Sequence, residues 1–152
     1  MPNAMYNMAS MIEPKKKNWV DLLLVERLWK LYAWPESTLP MRGMTPEKIR
    51  RYPVQAEYVS DDERTWTQPP RRWDYGRIRY FYDLLNAGGS VDPIDVDNVC
   101  EGSCVYPELA LLDGHHRLAG AYLAKVKTIP AHYGGRSDLL KYLTGKSRRC
   151  PE

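Results

Sequence analysis

Disulfide chemistry, strong charge and long apolar runs are all missing from this chain. Its 152 residues include three cysteines, an odd number and too few for the disulfide framework of a small secreted domain. The formal net charge is +3, from 22 Lys and Arg against 19 Asp and Glu, which is too mild to indicate nucleic-acid binding by itself. The greasiest stretch, Trp19 to Tyr32, is interrupted by Asp21, Glu26, Arg27 and Lys30. It is too short and too charged to cross a bilayer. Residues 1–14 lack the apolar core of a signal peptide, and no internal repeat is visible. These absences lead to the expectation of a cytoplasmic chain with no membrane partner. What is present is an ordinary globular composition, 43% hydrophobic and 27% charged, with length for one compact domain plus extensions.

Tryptophan is absent after residue 73, so all five tryptophans sit in the front half. The basic excess sits there too, with 14 basic and 10 acidic residues in 1–80 against 8 and 9 in 81–152. The pattern divides the chain into a flexible N-terminus (1–17), a helical Trp/Arg-rich extension (18–73), a main domain (74–146) and a tail (147–152). Lys15-Lys16-Lys17 reads as a solvated lead-in to a helix, the alternative being a phosphate-contacting arm. Asn18 is placed to cap a helix through Trp19, Leu22, Leu23, Val25, Leu28, Trp29 and Tyr32, ended by Trp34-Pro35. Thr45-Pro46-Glu47 reads as a second helix start. Arg50, Arg51, Arg64, Arg71 and Arg72 then lie among Tyr52, Tyr58, Trp66 and Trp73. Such interleaving suits stacking and clamping of a DNA strand. Asp61-Asp62-Glu63 would repel phosphate, and the competing reading has the aromatics packing the extension onto the core.

From Asp74 the pattern sharpens into a small mixed α/β (α+β) arrangement, a mixed sheet packed by helices. Asp74 is expected to cap a helix through Tyr80, Phe81, Leu84 and Leu85, stopped by Gly88-Gly89. Strands follow at Val91–Val96 and Leu109–Leu112, separated by a turn-rich stretch at 97–108. A helix opens at Asp113-Gly114, a third strand covers Thr128–Tyr133, and Ser137-Asp138 caps a last helix to Gly145.

The chemistry is concentrated in residues 109–121, LALLDGHHRLAGA, where a buried strand runs straight into a helix. The first amides of a helix lack intrahelical partners and carry the positive end of its dipole. Gly114 lets backbone approach a ligand, and Arg117 supplies a charged fork suited to phosphate oxygens. Together they form an anion cradle. Ala119, Gly120 and Ala121 let this helix pack closely on the sheet. Asp113 alternatively serves only as a cap, and Arg117 as a solvated side chain. His115 and His116 point about 100° apart on a helix, so one ligand does not receive both.

At these residues the chain resembles the ParB/sulfiredoxin superfamily. The matching pieces are Pro93-Ile94-Asp95-Val96, Gly114 with His116 and Arg117, Thr128-Ile129-Pro130-Ala131, and Ser137-Asp138-Leu139 with Tyr142-Leu143 and Gly145. DGHHR with Leu118 and Ala119 is also similar to the ParB-type nuclease-like domains and free serine kinases of that superfamily. The resemblance implies a nucleoside tri- or diphosphate, ATP or ADP foremost, with phosphates on Gly114, His115, His116 and Arg117. It also implies polar help from the preceding helix, where Arg77 and Arg79 lie. The departures are informative. Sulfiredoxins carry their catalytic cysteine where this chain has His115, so peroxiredoxin reduction is not expected. Partition-type ParB proteins have an arginine pair where this chain has His116-Arg117, and further domains downstream, whereas 19 residues follow Tyr133 here. A partition clamp is therefore not expected.

Cys100 and Cys104 with His115, His116 and His132 lack a second ligand pair of zinc spacing. Magnesium, which travels with polyphosphate and needs one or two carboxylates, has Asp113, Asp95 and Asp97 available, Asp113 foremost. The expectation is a nucleotide-binding protein with phosphoryl-transfer or phosphate-hydrolysing activity (NTPase, kinase or nuclease-like). Arg117 stabilises charge, and His116 or Asp113 acts as base. The alternative is a non-catalytic, nucleotide-regulated module that binds DNA or protein.

Overall fold

A computed structural model describes residues 12–13, 20–32, 43–59, 70–99 and 105–151. Lys15 to Trp19, Trp34, Asp61 to Arg64, Trp66, Cys100 and Cys104 lie outside the described residues. In chain order the elements are β1 (Ile12–Glu13), β2 (Asp21–Leu24), α1 (Val25–Leu31), α2 (Pro46–Ile49), α3 (Pro70–Asn86), β3 (Ile94–Val99), β4 (Val105–Asp113), α4 (His115–Leu123), β5 (Thr128–Tyr133), β6 (Gly135–Arg136) and α5 (Ser137–Leu143). The protein is mixed α/β.

Its residues fall into two compact units, neither continuous along the chain: 1–33 with 92–115 and 127–152, and 34–91 with 116–126. The first holds a four-stranded mixed sheet in the order β2-β5-β3-β4, and the two-stranded pair β1-β6. Strands β3 and β5 run parallel, while the other neighbours are antiparallel. Leu23, Ile94, Val96, Leu111, Ile129 and Ala131 are buried together with Leu28, Leu139 and Leu143 of the helices. Each full burial of such a side chain is worth about 1.5–3 kcal/mol.

Strand β2 corrects the helix expected from residue 18. Three consecutive leucines disguise an alternation: Leu23 is fully buried while Leu22 is largely exposed. The segment pairs with β5 through Asp21 to Ala131 and Leu24 to Thr128. The helix begins only at Val25 and stops at Leu31. Ile12 and Glu13, in the segment expected to be flexible, pair with β6. Strand β4 starts at Val105, inside the stretch expected to be turns, because antiparallel pairing with β3 reaches Val99 opposite Val105. Helix α5 also differs: its N-cap is Arg136, and Ser137 is the first helical residue.

The second unit is helical. Thr45 caps α2, its hydroxyl accepting from the Lys48 amide at 3.3 Å. Helix α3 begins at Pro70, a residue whose fixed φ suits a first turn. Asp74 therefore lies inside the helix and not at its cap. At the other end the Gly88 and Gly89 amides donate to Leu85 and Leu84 carbonyls, closing α3 where its glycines predict. Gly120 of α4 serves helix packing, not sheet packing. A Cβ there would sit 2.8 Å from the Phe81 Cβ and 3.0 Å from the Tyr82 amide of α3. Among the described residues no helix is long and apolar enough to cross a membrane.

Candidate anion site at the start of helix α4

Strand β4 ends at Asp113 and α4 begins two residues later. Gly114 makes the turn with φ +103, a region that strains any L side chain. A Cβ there would also collide with Ile94 of β3. The missing side chain is therefore required by the protein's own core, whatever a ligand needs. Asp113 is exposed and lies opposite Asp95 in the β3–β4 ladder, and Asp95 in turn lies beside His132 of β5. The sheet thus brings together two of the three carboxylates considered for magnesium. Asp97 stands opposite Ala110. Among the described residues no group of three or more His, Cys, Asp or Glu side chains is arranged to hold a metal.

The two histidines diverge. His115 Nε2 lies 3.1 Å from the Tyr32 hydroxyl, whose pKa is raised by burial. His116 Nε2 lies 2.8 Å from Asp74 Oδ1 on α3, and its ring meets Trp73 edge-on at 5.1 Å. Asp74 is the residue that sequence reasoning placed wrongly. No local signal marks an aspartate in one helix for a histidine 42 residues away.

Arg77 is buried, 9% exposed. Its Nη1 donates to the Gln55 and Ala56 carbonyls, its guanidinium lies 4.8 Å from the Phe81 ring centroid, and its Nε is buried without a hydrogen-bond partner. No carboxylate pairs with it among the described residues. Burial lowers its pKa, Tyr80 opposes this, and the charge of Arg117 lowers it further. Arg117 is thus within electrostatic reach and is half-buried in the first turn of α4. Arg79 differs: it donates to the Arg50 and Tyr52 carbonyls, and its charge is met by Asp83 at 3.6 Å. That set of partners makes Arg79 a clamp on the segment around residues 50–52.

The front-half aromatics separate into packed and exposed members. Trp73 is buried, and Tyr52 packs edge-on against Tyr75 at 4.7 Å. Tyr58 meets Trp73 but stays 66% exposed. Arg50 donates to the Tyr82 hydroxyl, while Arg51 and Arg72 are exposed. Compared with known proteins, the chain matches no family model, no curated protein and no solved structure.

Proposed function

We propose that the first turn of α4 binds the phosphates of a nucleotide, ATP or ADP foremost, and that the chain transfers or hydrolyses the terminal phosphoryl group in a ParB/sulfiredoxin-like fold. The observation carrying this reading is the buried positive charge of Arg77, which no carboxylate meets among the described residues. A guanidinium buried with no carboxylate partner among the described residues, and lowered in pKa by the charge of Arg117, is destabilised by both burial and repulsion. An anion on the α4 amides relieves both terms, and the helix dipole adds to the attraction.

Arg117 is the group suited to the phosphate oxygens, because a guanidinium binds them through a fixed fork. Arg77, its Nη1 committed to carbonyls, contributes fixed charge behind the site. Asp113 and Asp95, opposite each other on β4 and β3, are the carboxylates that would hold a magnesium ion, which keeps several waters and takes one or two carboxylates. His116 is the base candidate, and turn amides with Arg117 stabilise charge developing on the transferred group.

A non-catalytic, nucleotide-regulated module that binds DNA is favoured by one feature, the exposure of Tyr58, Arg51 and Arg72 in the helical unit. Retention on DNA that weakens steeply with salt would mark it.

The deciding experiment is thermal unfolding with ATP, ADP, CTP or GTP and magnesium, followed by product analysis. At a hundredfold excess over Kd, a nucleotide that binds only the folded chain stabilises it by about 2.7 kcal/mol. Arg117→Ala is expected to lose that shift. No shift with any of the four overturns the nucleotide reading, while a shift without product selects the regulatory module.

A further inference from the structure

The ring of His116 is held on two sides within the helical unit. Asp74 takes Nε2 at 2.8 Å, and the side chains of the pair are only 18% and 17% exposed. Trp73, immediately before Asp74 in α3, braces the ring. An ionised carboxylate accepts hydrogen bonds and donates none, so the nitrogen facing it carries the proton. A neutral imidazole has one proton for two nitrogens, which leaves the lone pair on Nδ1. Nδ1 makes no hydrogen bond among the described residues. Asp74 stands inside a 17-residue helix and His116 near the start of another, so backbone hydrogen bonding limits the movement of both.

We infer that Asp74 is a positioning residue that holds His116 as the Nε2–H tautomer and makes Nδ1 the proton acceptor of the phosphate site. The inference rests on the phosphoryl-transfer reading above. As a lone pair on the attacking water or hydroxyl oxygen forms the new O–P bond, Nδ1 takes that oxygen's proton. The bridging P–O bond breaks with its electron pair leaving on the nucleoside diphosphate.

The test uses the full chain labelled with nitrogen-15, at alkaline pH. Long-range proton–nitrogen correlation is expected to show His116 protonated at Nε2 and bare at Nδ1. In Asp74→Asn, whose amide both donates and accepts, the two tautomers are expected to mix. Turnover of ATP with magnesium is expected to fall roughly tenfold to hundredfold in kcat, with KM changed less than about twofold, because a positioned base contributes about 10² to 10⁴. Asp74→Glu, which keeps the carboxylate, restores part of the loss. A proton on Nδ1 in the unaltered chain overturns the inference, as does an unchanged tautomer in Asp74→Asn or a loss confined to KM. If the unaltered chain turns over no nucleotide, the phosphoryl-transfer reading and the acceptor role of Nδ1 fall together. The spectrum then decides separately whether Asp74 sets the tautomer.

Discussion

Arg136 in the sheet unit and Arg77 in the helical unit are buried to nearly the same degree, 8% and 9% exposed, yet they are satisfied in opposite ways. Arg136 makes two hydrogen bonds to Asp138, from Nε at 3.0 Å and Nη2 at 2.7 Å. That hydrogen bonding raises its pKa against the effect of burial. Arg77 has carbonyls and ring faces instead, and burial lowers its pKa. A cation with its own carboxylate is complete. One left with carbonyl dipoles, its pKa lowered further by the charge of Arg117, is the one that the proposed anion would complete. Burial alone therefore does not separate a structural arginine from a site arginine, but the identity of the partner does.

The largest effect that sharpens this contrast is on stability. Arg136→Met leaves the partly buried Asp138 carboxylate without its partner. It is expected to cost about 1–3 kcal/mol in urea unfolding. Arg77→Met leaves no stranded carboxylate and is expected to cost less. Equal losses would break the comparison. The second effect reverses the ranking. Arg77→Met is expected to reduce the unfolding shift produced by ATP with magnesium, while Arg136→Met keeps the full shift from its lower baseline. A shift that survives Arg77→Met removes that residue from the anion site.

The smallest effect is in the pH dependence. Burial pushes the Asp138 carboxyl up, but the Arg136 hydrogen bond and charge, with the Leu139 amide, outweigh it and hold the pKa below its ordinary value. A depressed carboxylate contributes stability above the unfolded value, near pH 4, that is lost as pH falls through the folded one. Acid titration of unfolding is expected to show this loss in the unaltered chain and a flatter profile in Arg136→Met. Parallel profiles would mean that the pair carries no linkage.

Legibility followed the range of the interaction. Thr45 as a cap, the α3 stop at Gly88-Gly89, the α4 start after Gly114 and the strand at 128–133 all stand where the sequence puts them. Each depends on a few neighbouring residues. The strand at 21–24 was hidden because its alternation emerges only when β5 lies alongside. Gly120 reads from sequence as a position of close packing, but its neighbour is α3, and no residue adjacent in sequence indicates that.

Local rules legible in the residues set the order of helices and strands from residue 74 onward, the glycine turn before α4 and the residues gathered at that turn. Caps, β-branched runs and positive-φ glycines act through local backbone sterics and hydrogen bonding. Tertiary structure alone decided which charges are answered and which imidazole nitrogen is committed. Asp74 reaches His116 across 42 residues and Arg77 reaches the Gln55 carbonyl across 22, and partners so distant in sequence meet only when packing brings their helices and loops together.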